Sequence, residues 1–524
     1  MTTHKKIAWT LLLAGAMAGC TKNLDRAPEF GLTNEVLYKN EAGYRSAVAK
    51  IYAGLSLTGN SGPSGSGDIQ DIDEGFSSYV RNYFNMQELT TDEAVIAWDD
   101  RTIQDLHHMD WSSNDVFIGA FYSRIYFQIT LANAFVKESA DGELSRRGIT
   151  GADADKVRGY RNEARALRAL SYLHAIDMFG SPGFVTEADG IGAFLPKQGT
   201  RAEVFAYIES ECKALETLLP EPRANEYGRM DRAAVWMILA NLYLNAQVYT
   251  GTARFTDAVT YSKKVMDAGY TLEPNYRHLF LADNHRSREL IFAIPFDGIR
   301  SRTWGGTTYL TRAPIGGRLT GAPFGVIDGW GGLRTTSALV DKFADISGNT
   351  DRRAQFFTDG QSKTINNLGL FTDGFAITKW RNVTSTGAAG SNNTWVDTDF
   401  PLFRLAEANL IFAEAILRGG TGASNEQAVN AINALRVRAF GNSTGNVGSI
   451  NLQLVLDERA RELHWEGKRR TDLIRYGQFT TAAYLWPWKG NTLTGRAVES
   501  FRDLFPIPSA EVNSNPNMKQ NPGY

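Results

Sequence analysis

Apolar residues return every three or four positions through several long stretches of this chain, the spacing of amphipathic helices. The pattern predicts helices over 40–55, 116–136, 154–179 and 201–219. In the third, Ala166, Leu170, Leu173 and Ile176 mark a broad apolar face, and Gly180 with Pro182 stops the helix. In the fourth, Phe205, Ile208, Leu215 and Leu219 share their spacing with Cys212, which therefore reads as a core thiol and not a nucleophile. Pro220 and Pro222 close that helix.

A repeat emerges over 233–269. Ala240, Leu242 and Tyr243, then Phe255, Ala258 and Tyr261, fall near the places where tetratricopeptide units need small and large packing residues. The run 408–415 (ANLIFAEA) echoes 240–246 (ANLYLNA), and a second helix at 426–440 follows it after a Gly-rich turn. Two such helix pairs, separated by a long interruption, predict a mainly α protein built on a tetratricopeptide-like helical-hairpin scaffold, about 31–288 and 400–524. The interruption, about 289–399, has short apolar runs, many glycines and spaced aromatics. It predicts an irregular, loop-rich insertion, and binding residues concentrate in loops held on a rigid frame.

The run 454–476 (LVLDERARELHWEGKRRTDLIRY) has a different pattern. Leu456, Ala460 and Leu463 form an apolar stripe that Asn451 can cap, yet charges are interleaved with it too tightly to leave one wet face. Asp457 with Arg461, and Glu466 with Arg469 and Arg470, have the spacing of helical ion pairs. The expectation is a half-buried helix whose charges also pair with other segments and lock the helical body.

The N-terminus carries a targeting segment over 1–19. Lys5 and Lys6 precede an apolar run, 7–17, too short for a permanent membrane span. Ala18-Gly19-Cys20 resembles a bacterial lipobox, which would put lipid on Cys20 and make 20–30 a polar tether. Cys212 would then be the only other cysteine, so no intramolecular disulfide is expected. The 524 residues are 43% hydrophobic and 21% charged, as in ordinary globular proteins, and the formal charge of -2 argues against a nucleic-acid partner.

No catalytic signature is present: no HExxH, no CxxC, no G-x-S-x-G, no Walker loop. No cofactor or metal is expected. A calcium loop counted from Asp71 fails, because its glycine and glutamate places hold Phe76 and Asn82. Paired carboxylates of a glycosidase could come from Asp92, Glu93, Asp99 and Asp100, an option that residue types alone leave open. Aromatics are more informative. Trp98, Tyr309 and Trp330 sit beside Asp, Thr or Gly in expected loops, where rings can stack on the C–H faces of sugars. Trp304 reads as core.

Several blocks resemble the SusD/RagB family of surface glycan-binding lipoproteins: 457–476, 163–180, 240–251 (ANLYLNAQVYTG), 403–415 and the ending QNPGY. Asp73-Glu74-Gly75, 88–94 (ELTTDEA), 305–310 (GGTTYL), 397–407 (DTDFPLFRLAE) and 484–490 (YLWPWKG) are similar to the starch-binding branch. The resemblance implies an arc of Trp98, Tyr309 and Trp330 that stacks on α-glucan, with Arg81 donating to hydroxyls. Asp100 and Arg101 join that expected site, Arg101 standing where the branch has asparagine. It further implies a non-enzymatic protein, lipid-anchored at the outer membrane, that passes oligosaccharides to a SusC-like TonB-dependent transporter. A fructan or a β-glucan is the alternative ligand, and a hydrolase the alternative class.

Overall fold

A computed structural model describes residues 33–65, 67–70, 72–190 and 194–524. The targeting segment, Cys20, the tether and Asp71 lie outside the described residues. Among the described residues no helix is long and apolar enough to cross a membrane.

The fold is mainly helical. Local chemistry sets the helix ends. Asn40 caps Glu41–Ser56, accepting from the Gly43 N–H, and Asp115 Oδ1 accepts from Phe117 and Ile118 at 2.9 Å to start Val116–Glu138. Thr200 and Glu203 form a reciprocal capping box on Arg201–Leu215, as Ser424 and Gln427 do on Asn425–Phe440. Gly180, with φ +71°, ends Gly151–Phe179, and Gly441 ends Asn425–Phe440 in the left-handed region.

These helices stack as successive neighbours. Val116–Glu138 packs on Gly151–Phe179, which packs on Arg201–Leu215 and Glu41–Ser56. The stack continues through Arg232–Leu244 and Phe255–Met266 to Leu405–Leu417 and Asn425–Phe440. The two hairpins that the sequence separates by more than a hundred residues are thus adjacent in space, joined by the contact of Phe255–Met266 with Leu405–Leu417. Leu405–Leu417 is buried almost all round, and Cys212 is fully buried, where loss of solvent pushes its thiol far above the ordinary value. One hydrophobic core runs from Tyr38 to Met518, with a small satellite of Ile315, Leu319, Phe324, Val326, Ala376 and Val396 beneath the glycine-rich loops.

The glycine-rich segment leaves and rejoins the stack on a two-stranded ladder. Leu290–Ile294 pairs antiparallel with Phe400–Arg404, Leu290 opposite Arg404 and Ile294 opposite Phe400. Between them lie only short pieces, among them the helix Gly306–Arg312 and the strand Leu333–Arg334. That strand pairs with Val95–Ile96, so the loops are stitched to the N-terminal half as well.

The charged run 454–476 breaks into two helices, Leu452–Leu463 and Arg469–Arg475. Asn451 caps the first, accepting from the Leu454 N–H. At the break Trp465 takes φ +62°, a conformation unfavourable for an indole residue. It is held by its Nε1 donating to Glu93 O at 2.9 Å, while the Gly467 and Lys468 N–H groups donate to Glu88 Oε1.

None of the local ion pairs expected along this run forms among the described residues. Asp457 pairs instead with Lys342 at 2.8 Å, Arg461 with Glu458, and Arg469 with Asp92 at 2.7 Å. Glu466 is taken by Arg404 and Lys379. The reason is burial: in the interior a charge needs close, well-oriented partners. For Asp457, Glu466 and Arg469 other segments supply them better than the helix's own next turn, while Arg461 finds Glu458 one turn back. Glu462 lies at the centre, fully buried, receiving Arg404 at 2.6 Å, Arg353 at 3.2 Å, and Arg438. Glu289 pairs with Arg404 and Arg438, and Glu458 with Arg353 at 2.6 Å. The charges pair with other segments, as expected.

Glu462→Ala leaves three buried guanidinium groups short of a partner. The expected loss of stability is about 3–5 kcal/mol, read from urea unfolding; a change no larger than that of an exposed control such as Glu426→Ala would refute the central role. Acid should act on the same network. Burial alone would raise the Glu458 carboxyl, but Arg353, Arg461 and Arg436 outweigh it and hold it at about 2. Its folded value is therefore depressed, so its contribution is present above the unfolded value of 4.5 and is lost as pH falls towards about 2. Urea midpoints measured across that window should fall more steeply in the native chain than in Glu458→Gln.

Candidate functional site

Where the stitched loops meet the N-terminal half, an open cleft of about 460 Å³ is lined by Asp73, Gly75, Phe76, Arg81, Trp98, Asp100, Trp304 and Trp330. The strand pair Val95–Ile96 with Leu333–Arg334 leads into it, and the Ala97 N–H extends the pairing by donating to Gly332 O at 2.9 Å. Trp98 follows directly and donates from its indole Nε1 to Trp330 O at 3.0 Å. Gly332 is required here, since a Cβ would come within 2.3 Å of the Trp98 ring. The Trp330 N–H in turn donates to Arg312 O, at the end of Gly306–Arg312.

Three half-buried indoles form a wall of mutually tilted rings. The Trp98 and Trp330 centroids are 6.3 Å apart with planes at 50°, and Trp330 and Trp304 are 6.3 Å apart at 53°. Behind them the Arg312 guanidinium lies 4.8 Å from the Trp330 ring and 5.8 Å from the Trp304 ring. Such cation–π contacts hold rings in place while leaving their other faces free. Trp395 continues the row behind Trp304 at 5.4 Å.

Of the residues the sequence singled out, Arg81, Trp98, Asp100 and Trp330 come together in the lining. Tyr309 does not present a face to the cleft. It is fully buried, with Trp98 at 6.1 Å, Arg81 over its ring at 4.5 Å, and its hydroxyl donating to Asn85 Oδ1 at 3.0 Å. The cause is its place within Gly306–Arg312, every residue of which is buried. Arg101 also stands outside the lining, exposed and at φ +53°, turned away at the start of the helix Ile103–His108. Trp304, expected in the core, lines the cleft instead. It directly precedes Gly305-Gly306, whose tight turn against Ser78 presents the indole: Gly306 N–H donates to Ser78 Oγ at 3.0 Å, and Gly306 sits at φ +57°. Neither Trp304 nor Phe76 was separable from core aromatics by residue type; the double glycine was the available signal.

Arg81 is the unusual polar group of the site. It is only 5% exposed and makes no ion pair among the described residues. Its Nη1 donates to Gly75 O at 3.3 Å, its Nε has no partner, and it is sandwiched by Tyr309 and Phe76 at 4.5 and 4.8 Å. Burial pulls its pKa down, with Tyr309, Asp100 and Asp73 acting in the opposite sense. A guanidinium in this state has unfilled donors at the edge of an apolar wall. Asp73 and Asp100, both exposed, also line the cleft and supply acceptors.

The four carboxylates that could have served a glycosidase separate into two kinds. Asp92 and Glu93 are buried: Asp92 accepts from Arg469 and from the Tyr484 hydroxyl at 2.6 Å, and Glu93 from the Trp465 N–H. They tie the fold together. Only Asp99 and Asp100 remain on the surface.

The comparisons with known proteins agree with this architecture. A family model described as the SusD family matches residues 354–524. Starch-binding protein SusD of Bacteroides thetaiotaomicron is 36% identical, over 98% of this chain and 97% of its own length. The surface glycan-binding protein A from Bacteroides thetaiotaomicron, solved in complex with laminarihexaose, superposes with a TM-score of 0.68 at 20% identity, over 92% of this chain and 99% of that one. A SusD superfamily protein from Parabacteroides distasonis gives 0.71 at 22% identity, over 94% and 100%. The solved structures share the fold, and with the near-full-length likeness to a curated relative the chain belongs to the SusD family.

Proposed function

We propose that this protein captures α-glucan oligosaccharides at the cell surface and passes them to a SusC-like TonB-dependent transporter, without catalysing a reaction. The observation that carries the reading is the wall of tilted indoles with an under-partnered arginine at its edge. Successive planes rotated by about 50° suit a glucan that itself curves; a flat ribbon would meet one ring squarely and tilt away from the next. Trp98, Trp330 and Trp304 stack on sugar faces, Arg81 donates to hydroxyls, and Asp73 and Asp100 accept from them. The near-full-length likeness to a protein named for starch binding supports the choice of ligand. In the same reading residues 1–19 are removed as a signal peptide, and 20–30 tether the chain to the outer membrane by lipid on Cys20. Residues 31–524 then act as one unit, with Tyr309 and Arg312 backing the wall.

Stacking one glucose on an indole contributes about 1 kcal/mol, so three platforms and their hydrogen bonds fit affinities from roughly millimolar to tens of micromolar. Titration calorimetry with maltoheptaose, a cyclodextrin and laminarihexaose is the test. Binding of the first two alone is expected. Preference for laminarihexaose would replace the ligand with a β-1,3-glucan, and silence with all three would overturn the site. Trp98→Ala and Trp330→Ala should each weaken maltoheptaose binding about fivefold, the equivalent of about 1 kcal/mol, without lowering thermal stability comparably. Arg81→Met should weaken it while sparing the wall.

A further inference from the structure

Among the described residues, one place brings three metal-ligating side chains together outside the cleft: Asp105, His108 and Asp110, whose donor atoms all lie within 4.8 Å of one another. Asp105 and His108 are three apart on the short helix Ile103–His108, so they share a face. Met109 then takes the left-handed conformation, φ +56°, and reverses the chain. The Asp110 N–H folds back to donate to Asp105 O at 3.1 Å, which puts the third side chain beside the first two.

These groups converge without satisfying one another. Among the described residues neither carboxylate accepts a hydrogen bond or meets a cation, and His108 makes no hydrogen bond or ion pair with either, whereas other charged side chains are extensively paired. Burial, and then the neighbouring charge of Asp110, raise the Asp105 carboxyl above its ordinary value. His107 gives an independent sign. It is 2% exposed, neither ring nitrogen has a partner, and its ring meets His108 edge-on at 4.5 Å. An unpartnered buried imidazole thus packs edge-on against the candidate ligand.

The geometry points to a divalent transition-metal site of one imidazole and two carboxylates at the C-terminal end of Ile103–His108. Zinc bonds of about 2.1 Å place neighbouring donors roughly 3.4 Å apart, so binding needs the side chains to close by about an ångström. Exposed Asp110 is free to make that movement. The mixed nitrogen and oxygen set suits Zn²⁺ or Co²⁺; Ca²⁺, which takes six to eight oxygens, is poorly served. Three protein donors leave the remaining positions to water, and no reaction is assigned to the site. The bound ion would pin the helix that follows the Trp98–Asp100 segment, where Gln104 Nε2 already donates to Trp98 O at 2.9 Å.

The test is calorimetric titration of the full chain with Zn²⁺, with Ca²⁺ as competitor, and Co²⁺ binding followed by its visible absorption. One Zn²⁺ site that Ca²⁺ does not displace is expected, with Co²⁺ bands of mixed nitrogen and oxygen coordination. His108→Ala should weaken Zn²⁺ by about 100-fold or more and abolish those bands. Asp110→Asn, at an exposed position, gives the same direction of change should His108→Ala fold poorly. No Zn²⁺ binding to the native chain, binding that survives both variants unchanged, or displacement by equimolar Ca²⁺ would each overturn the proposal.

Discussion

Glu462 receives three arginines that arrive from three distant stretches: Arg353 from the glycine-rich loops, Arg404 from the closing strand, and Arg438 from the last hairpin. A buried carboxylate tolerates such a position only while its partners remain, since an unpaired interior charge costs several kcal/mol. The three segments therefore cannot shift independently. Glu466 repeats the arrangement one step further along, holding Lys379 from the loops and Arg404 from the strand. A helical stack alone would not dictate where a loop-rich segment rests on it; these pairs do.

The constraint reaches the cleft along a short path. Trp465 and Arg469, just beyond the Glu462 cluster, grip Glu93 and Asp92. Two residues later Val95 and Ile96 enter the ladder with Leu333–Arg334, and Trp98 emerges from it. The indole wall thus hangs from the ionic core through fewer than ten residues of backbone. Rings that must meet a ligand without reordering benefit from that rigidity, because side-chain ordering is subtracted from binding.

Helical periodicity made the scaffold legible, and the echo of 240–246 in 408–415 correctly paired two hairpins far apart in sequence. Charge partners were not legible. Asp457 and Arg461 had ideal helical spacing, yet spacing speaks only of the local alternative and not of what the interior offers. The site was half visible. Trp98, Trp330 and Arg81 line the cleft as the resemblance implied, but Tyr309 is sealed behind them and Trp304 takes a place at the surface of the wall. Whether an aromatic faces ligand or core depends on which side of a short helix it occupies, and Gly306–Arg312 is too short and too fully buried for periodicity to tell. The motif blocks around Asp92 and Tyr484 turn out to bond each other, so their likeness to the family describes the frame more than the ligand.

The ladder between Leu290–Ile294 and Phe400–Arg404 brings the two ends of the glycine-rich segment to neighbouring strands, about 4.8 Å apart. Exposed loops between those ends can lengthen, shorten or change sequence without moving the strands that start and finish the segment. That freedom is not uniform, because Arg353 and Lys379 are committed to the ionic core. The stretch ahead of them, which carries Trp304 and Trp330, has no such obligation to Glu462 or Glu466. A single frame can in this way host unlike ligand preferences, with diversification confined to the portion of the loop that faces the cleft and the remainder kept as its foundation.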